Sequence, residues 1–190
     1  MPETLRKEHA KLRRRPFLTP LWLTSIAGAA ALIIASWLFL TASTTMVFVL
    51  RHAETSTAPG DDPELSMAGK LRAERLSAVF AGVTGGTALD GVVVNEWRRT
   101  QQTAQPLANA LGIPVVVVSS ADPREAAHRA LDDFDGSPVL IVTDADAIPR
   151  IVEELSGKNV PVPLATDFDT LYVVAHPRLG RDSLVMLRLP

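Results

Sequence analysis

The sequence predicts a three-layer α/β/α sandwich around a mostly parallel central sheet, preceded by one transmembrane helix. Three observations predict this. From residue 43 onward, short β-branched runs alternate with helical segments of about 8–16 residues, the pattern of a parallel sheet covered on both faces. Residues 16–50 contain no Asp, Glu, Lys or Arg. The 190-residue chain is 47% hydrophobic and 21% charged. That is too apolar for a disordered chain, too varied for a fibrous one, and long enough for one ordinary domain with a small attachment.

The uncharged stretch comes first. Residues 21–42 read LWLTSIAGAAALIIASWLFLTA and as a helix would rise about 33 Å at about 1.5 Å per residue, against about 30 Å of bilayer hydrocarbon. Its polar members are Thr24, Ser25, Ser36 and Thr41, Trp22 and Trp37 are placed as interfacial anchors, and Pro16 and Pro20 precede it. Residues 1–15 carry Arg6, Lys7, Lys11, Arg13, Arg14 and Arg15 against Glu3 and Glu8, a net +4. The positive-inside rule then makes 1–20 a basic cytoplasmic segment, 21–42 a signal anchor and 43–190 an exported domain, periplasmic or otherwise extracytoplasmic. Two alternatives compete. A cleaved signal peptide would use the weak Leu40-Thr41-Ala42 site, but its apolar core is usually about 7–15 residues. A buried soluble helix is the other.

Within 43–190 the elements follow in order. Met46 to Leu50 reads as a strand, Leu65 to Phe80 as a helix and Val92 to Val94 as a strand. Thr100 to Leu111 reads as a helix closed by Gly112, and Val115 to Val118 as a strand. Pro123 to Phe134 is a helix with Asp122 as its N-cap, and Val139 to Val142 a strand. Ile148 to Leu155 is a short helix ending near Gly157. Leu171 to Ala175 and Leu184 to Leu187 read as final strands joined by a turn containing Gly180, close enough in sequence for an antiparallel hairpin at one edge. Gly85-Gly86 and the Ala58 to Pro63 stretch read as surface loops.

Composition removes several functions. With no cysteine there is no disulfide framework, Cys nucleophile or thiolate metal site. From Arg51 onward 13 basic residues face 19 acidic, a net −6, which lacks the positive field that nucleic acid requires. Asp144 and Asp146 have no His partner in the sequence and read as polar residues ahead of a helix, so neither metal nor cofactor is implied.

Leu50-Arg51-His52-Ala53-Glu54 ends the first strand, where an open α/β sheet places its ligand site. A neutral imidazole is a good nucleophile toward phosphorus, and an adjacent guanidinium clamps a phosphoryl group bidentately. The plainer reading is a pair that braces the loop. A second segment, Asn95-Glu96-Trp97-Arg98-Arg99-Thr100, again sets arginine at a strand end and a helix start. Arg98 and Arg99 cannot both face inward.

Taken together, Arg51-His52-Ala53-Glu54, Leu65-Ser66-Met67-Ala68-Gly69 and Arg99-Thr100-Gln101-Gln102-Thr103-Ala104 resemble the three ordered motifs of the histidine phosphatase superfamily, which includes the phosphoglycerate mutases. The resemblance covers about Thr45 to Pro190. It implies His52 as a nucleophile that becomes phosphohistidine, with Arg51 and Arg99 binding phosphoryl oxygens. The family's second histidine is matched by Asp144 in Val142-Thr143-Asp144-Ala145-Asp146. An ionised Asp144 donates nothing and opposes phosphate by about 4 kcal/mol at 4 Å and an effective dielectric near 20. Among the other histidines, His9 is expected across the membrane, His128 on a solvated helix face, and His176 reaches the site only if its strand runs parallel.

Glu96 resembles a pocket-lining carboxylate of a subgroup, while Asp167 and Asp169 are candidates for the pocket rim. No insertion long enough for a mutase lid is present. The resemblance therefore implies phosphomonoester or phosphohistidine hydrolysis, weakened by Asp144. The alternative is an inactive relative that binds a phosphorylated small molecule or phosphoprotein.

Overall fold

The computed structural model describes residues 21–41, 43–82 and 88–189. The chain divides into two units, Met1–Thr41 and Ala42–Pro190.

In the first unit the apolar run forms helix α1, Leu21–Thr41. Its described side chains, residues 22–38, are exposed. Thr24, Ser25, Gly28 and Ser36 interrupt their apolar surface. No helix among the described residues is long and apolar enough to cross a membrane. The expected transmembrane helix 21–42 is therefore corrected. So are the signal-anchor topology, the membrane partner, the cytoplasmic N-terminus and the exported domain, which all rested on it. The basic segment 1–20, including His9, lies outside the described residues, as do Ala42 and the Gly85-Gly86 turn.

The second unit is an α/β/α sandwich. Its strands are β1 Thr44–Arg51, β2 Gly91–Asn95, β3 Val115–Val118, β4 Pro138–Thr143, β5 Thr170–Pro177 and β6 Ser183–Arg188, in the sheet order β3-β2-β4-β1-β5-β6. Its helices are α2 Met67–Ala81, α3 Arg98–Leu111, α4 Pro123–Asp133 and α5 Ile148–Ser156. Strands β2 and β4 are buried along their whole length, which is why they read as unbroken apolar runs. On one face Leu76, Phe80, Ala104 and Leu107 of α2 and α3 pack on Val92, Leu140 and Leu171. On the other, Ala127, Ile148, Ile151 and Leu155 of α4 and α5 pack on Val47, Val93 and Ile141.

The sheet is more mixed than the sequence suggests. The pairings β3–β2, β2–β4 and β4–β1 are parallel, whereas β1–β5 and β5–β6 are antiparallel. Helix α5 runs back along the sheet and stops at Gly157, which is left-handed at φ 64°. The non-helical segment 158–169 then returns the chain to the edge where β1 and β4 end, so β5 starts there and runs the other way. Position 176 consequently pairs with Thr45 at the opposite edge, and His176 Nδ1 lies 2.8 Å from Asp182 Oδ1. It cannot substitute for a second histidine. His128 is exposed, with Nε2 3.1 Å from Glu154 Oε1.

Candidate active site

Three parallel strands deliver their carboxyl ends to one edge. Arg51 is in register with Thr143, and Val94 with Val142. The His52 N–H continues the ladder by donating to the Thr143 carbonyl at 2.9 Å. The chain then leaves the sheet, and its next residues are tied to two helices. Ala53 N–H donates to Thr103 Oγ1 at 2.9 Å, and that hydroxyl donates to the Arg99 carbonyl at 2.7 Å. Leu65 N–H donates to Gln102 Oε1 at 2.8 Å, and Ser66 N–H to the Glu54 carbonyl at 2.9 Å. Ser66 caps α2 by accepting from Gly69 N–H. Leu65, expected inside that helix, instead bridges to Thr55. Gly69 is required by close approach, since a Cβ there would sit 2.1 Å from the Glu54 carbonyl oxygen.

Among the site residues, His52 is buried. Its Nδ1 lies 2.7 Å from the Ala53 carbonyl oxygen. A carbonyl only accepts, so that bond assigns the proton to Nδ1 and leaves the lone pair on Nε2. Burial pulls the imidazole pKa below its ordinary value. The Ala53 bond and Asp144 raise it, and the Arg51 and Arg99 charges lower it further.

Asp144 faces that lone pair. Its Oδ1 lies 3.5 Å from His52 Nε2 and accepts from Arg99 Nε at 2.6 Å, while Oδ2 accepts from Asn95 Nδ2 at 2.8 Å. The Asp144 and Arg99 side chains are 17% and 16% exposed, so this ion pair is poorly hydrated. Arg98 turns outward to Glu64, with its N–H donating to Asp62 Oδ1 at 2.9 Å.

Arg51 reaches the same edge but turns to the 158–169 segment. Its Nη1 donates to the Leu164 and Ala165 carbonyls at 3.1 and 2.8 Å, and its guanidinium lies 4.3 Å from the Phe168 ring centroid. Its Nε is buried and has no hydrogen-bond partner among the described residues. Burial lowers its pKa against the raising charges of Asp144, Asp167, Asp146 and Glu54.

The remaining carboxylates are committed elsewhere. Glu54 takes Arg72 bidentately, Nε to Oε2 at 2.9 Å and Nη2 to Oε1 at 2.8 Å, and Arg72 also binds Asp169. The Arg72 bond holds the Glu54 carboxyl below its usual range. Glu96 is exposed and accepts from Ser120 N–H and Oγ, each at 2.7 Å. Burial raises its pKa, but the bonds from Ser120 and from its own N–H outweigh this and leave it lowered. Asp167 accepts from Thr170 Oγ1 at 2.8 Å and from the Asp169 and Thr170 N–H groups. The Thr170 hydroxyl is the main cause of its lowered pKa.

A cleft of about 500 Å³ opens beside Asp144, with Asn95, Trp97, Arg99, Ser120 and Arg150 among its lining. No group of metal-ligating side chains forms among the described residues. Sequence reasoning assigned no role to Asn95, Thr103, Arg72 or Phe168. Asn95 and Thr103 lay inside motifs already singled out, whereas nothing local marks Phe168.

The Histidine phosphatase superfamily (branch 1) family model matches residues 47–121. A protein of Agrobacterium tumefaciens described as a phosphohistidine phosphatase, SixA, is similar in structure: 23% identity, TM-score 0.58, covering 77% of this chain and 99% of that one. A protein histidine phosphatase SixA complexed with tungstate gives 20% identity and TM-score 0.60 over 75% and 96% of the two chains. A mycobacterial glucosyl-3-phosphoglycerate phosphatase gives 16% and 0.56 over 77% and 100%. No curated protein matches the sequence. The second unit shares the fold of these phosphatase structures, and residues 47–121 match the superfamily's family model.

Proposed function

We propose that the domain binds phosphoryl groups and hydrolyses phosphomonoesters or protein phosphohistidine slowly through a His52 phosphoenzyme, Asp144 standing in the position of a second histidine. One observation carries this reading. A single carboxylate oxygen of Asp144 touches both Arg99 Nε and the neighbourhood of His52 Nε2, at 2.6 and 3.5 Å. It occupies the space a phosphoryl oxygen would take between nucleophile and cation.

An incoming phosphoryl group would displace this carboxylate from Arg99. His52 Nε2 would then attack phosphorus as the bond to the leaving oxygen breaks. Water would next attack the phosphohistidine, breaking its P–N bond and releasing inorganic phosphate. Arg99 offsets charge on the transferring oxygens, and the Ala53 carbonyl holds the ring in the nucleophilic tautomer.

Asp144 makes entry costly, by about 4 kcal/mol at 4 Å and an effective dielectric near 20. Leaving-group protonation is also unsupplied, because Glu96 is turned to Ser120 and Glu54 to Arg72. Both features favour substrates that need no acid, such as aryl phosphates. The neighbouring cleft is large enough for a leaving group. Phosphohistidine is a second candidate class, favoured by the names of the two SixA structures.

A second reading, binding of a phosphorylated small molecule or phosphoprotein without turnover, is favoured by Arg51, whose Nη1 is already taken by two carbonyls. Hydrolysis of para-nitrophenyl phosphate and of a phosphohistidine peptide by the parent, His52→Ala and Asp144→His separates the two. Slow parent turnover lost in His52→Ala supports the enzyme. No turnover in a folded Asp144→His variant, with phosphate binding retained and lost in Arg99→Ala, supports the binding protein.

A further inference from the structure

We propose that β6 pairs with β6 of a second copy of this chain, antiparallel about a two-fold axis through Val185, joining two six-stranded sheets into one. Sheet edges normally carry charge, proline, a bulge or a very short strand, because an open row of N–H and C=O groups recruits other strands. The β3 edge follows this rule with only four residues. The β6 edge does not. It has six residues, SLVMLR, with no charge before Arg188. Val185, Met186 and Leu187 are 52%, 59% and 49% exposed.

These residues are apolar on both faces. Val185 and Leu187 pair in register with Val173 and Leu171, on the side of α2 and α3, and Leu184 and Met186 with Val174 and Tyr172, on the side of α4 and α5. A continuous apolar run is the signature of a central strand, not an edge.

Charge complementarity selects the second copy and its register. Antiparallel pairing centred on Val185 sets Leu184 opposite Met186, Ser183 opposite Leu187 and Asp182 opposite Arg188, the last pair occurring twice by symmetry. A one-residue shift would put each helical layer on the wrong face. A shift of two residues sets Arg188 opposite Leu184, or Asp182 opposite Met186. Asp182 Oδ1 lies 2.8 Å from His176 Nδ1 on its own strand pair, which places the carboxylate at this edge. A six-residue strand is about 20 Å long at about 3.4 Å per residue, so the contact is small and the dimer depends on concentration.

The absence of cysteine makes the test clean. In the full chain, Val185→Cys places its single thiol on the two-fold axis. It should oxidise to a disulfide-linked dimer, and Val117→Cys on the β3 edge should not. Ser183→Cys mixed with Leu187→Cys should cross-link to each other and not to themselves. Sedimentation of the parent should show a monomer–dimer equilibrium that Val185→Lys abolishes with its circular dichroism unchanged. Should that variant misfold, the cysteine pairs still decide. A parent monomeric at all concentrations, cross-linking equal at 185 and 117, or a dimer indifferent to Val185→Lys would each overturn the proposal. So would dimerisation only after removal of residues 1–20, which would make that segment the occupant.

Discussion

The β1 and β4 ends lie in register at Arg51 and Thr143, yet they bring opposed chemistry to one hollow. After β1 comes His52, buried and held by the Ala53 carbonyl in the tautomer that leaves the Nε2 lone pair free of a proton. After β4 comes Asp144, a carboxylate that engages the neighbouring cation itself. The first end is assembled for an anion and the second is one. The backbone ladder and helix ties around His52 need no help from the side chain at 144, so the two walls of the site are set independently.

The sharpest way to break this contrast is Asp144→His, which replaces the carboxylate by a donor. The expected gain in kcat/KM toward an aryl phosphate is about 10²–10³-fold, the scale of one transition-state donor, read by steady-state kinetics. Arg99→Ala acts from the other side. It should remove phosphate binding and, by leaving Asp144 poorly hydrated and unpaired, cost about 3–5 kcal/mol in denaturant unfolding. Adding Asp144→Asn should restore most of that stability, and failure to do so would show that the pair is not the cause.

Gly69→Ala tests the β1 wall alone. Its Cβ would meet the Glu54 carbonyl, and the expected loss is about 1–3 kcal/mol, with turnover falling in step because the loop after His52 shifts. Thermal unfolding and kinetics together check this.

Acidity gives a finer measure. Because burial holds His52 below its ordinary 6.5, the unfolded chain takes the proton first as pH falls. Its contribution to stability is whole above pH 6.5 and is lost as pH falls through the lower folded value. The nucleophile should thus remain neutral somewhat below pH 6.5. Asp144→Asn should lower its pKa further, since Asp144 raises it. Titration of the His52 ring by NMR checks both signs. The smallest effect expected is from Glu96→Gln, within about 0.5 kcal/mol in kcat/KM, because that side chain serves Ser120. A large loss would return Glu96 to the pocket.

The unpartnered Arg51 Nε and the carbonyls of Leu164 and Ala165 show where local pattern stopped being informative. Pairing Arg51 with a segment over a hundred residues away is a property of the crossover after α5. No spacing in the sequence encodes it, and the same crossover sends His176 to the far edge. Phe168, which stacks on Arg51 and lies 6.5 Å from the His52 ring, sits in that segment without any motif around it. The apolar run of α1 also looked sufficient to cross a membrane, yet no helix among the described residues is long and apolar enough to do so.

By itself the sequence determined the alternation of strand and helix, the buried character of β2 and β4, and the strand ends that carry His52, Arg99 and Asp144. These follow from side-chain periodicity and from short motifs, which are local. Only the tertiary structure decided which arginine faces inward, which carboxylates are already bound, and that Asp144 bridges Arg99 toward His52. Those outcomes depend on strand order, on the direction of β5 and on competition among charges far apart in the chain, and none of these is written in any one segment.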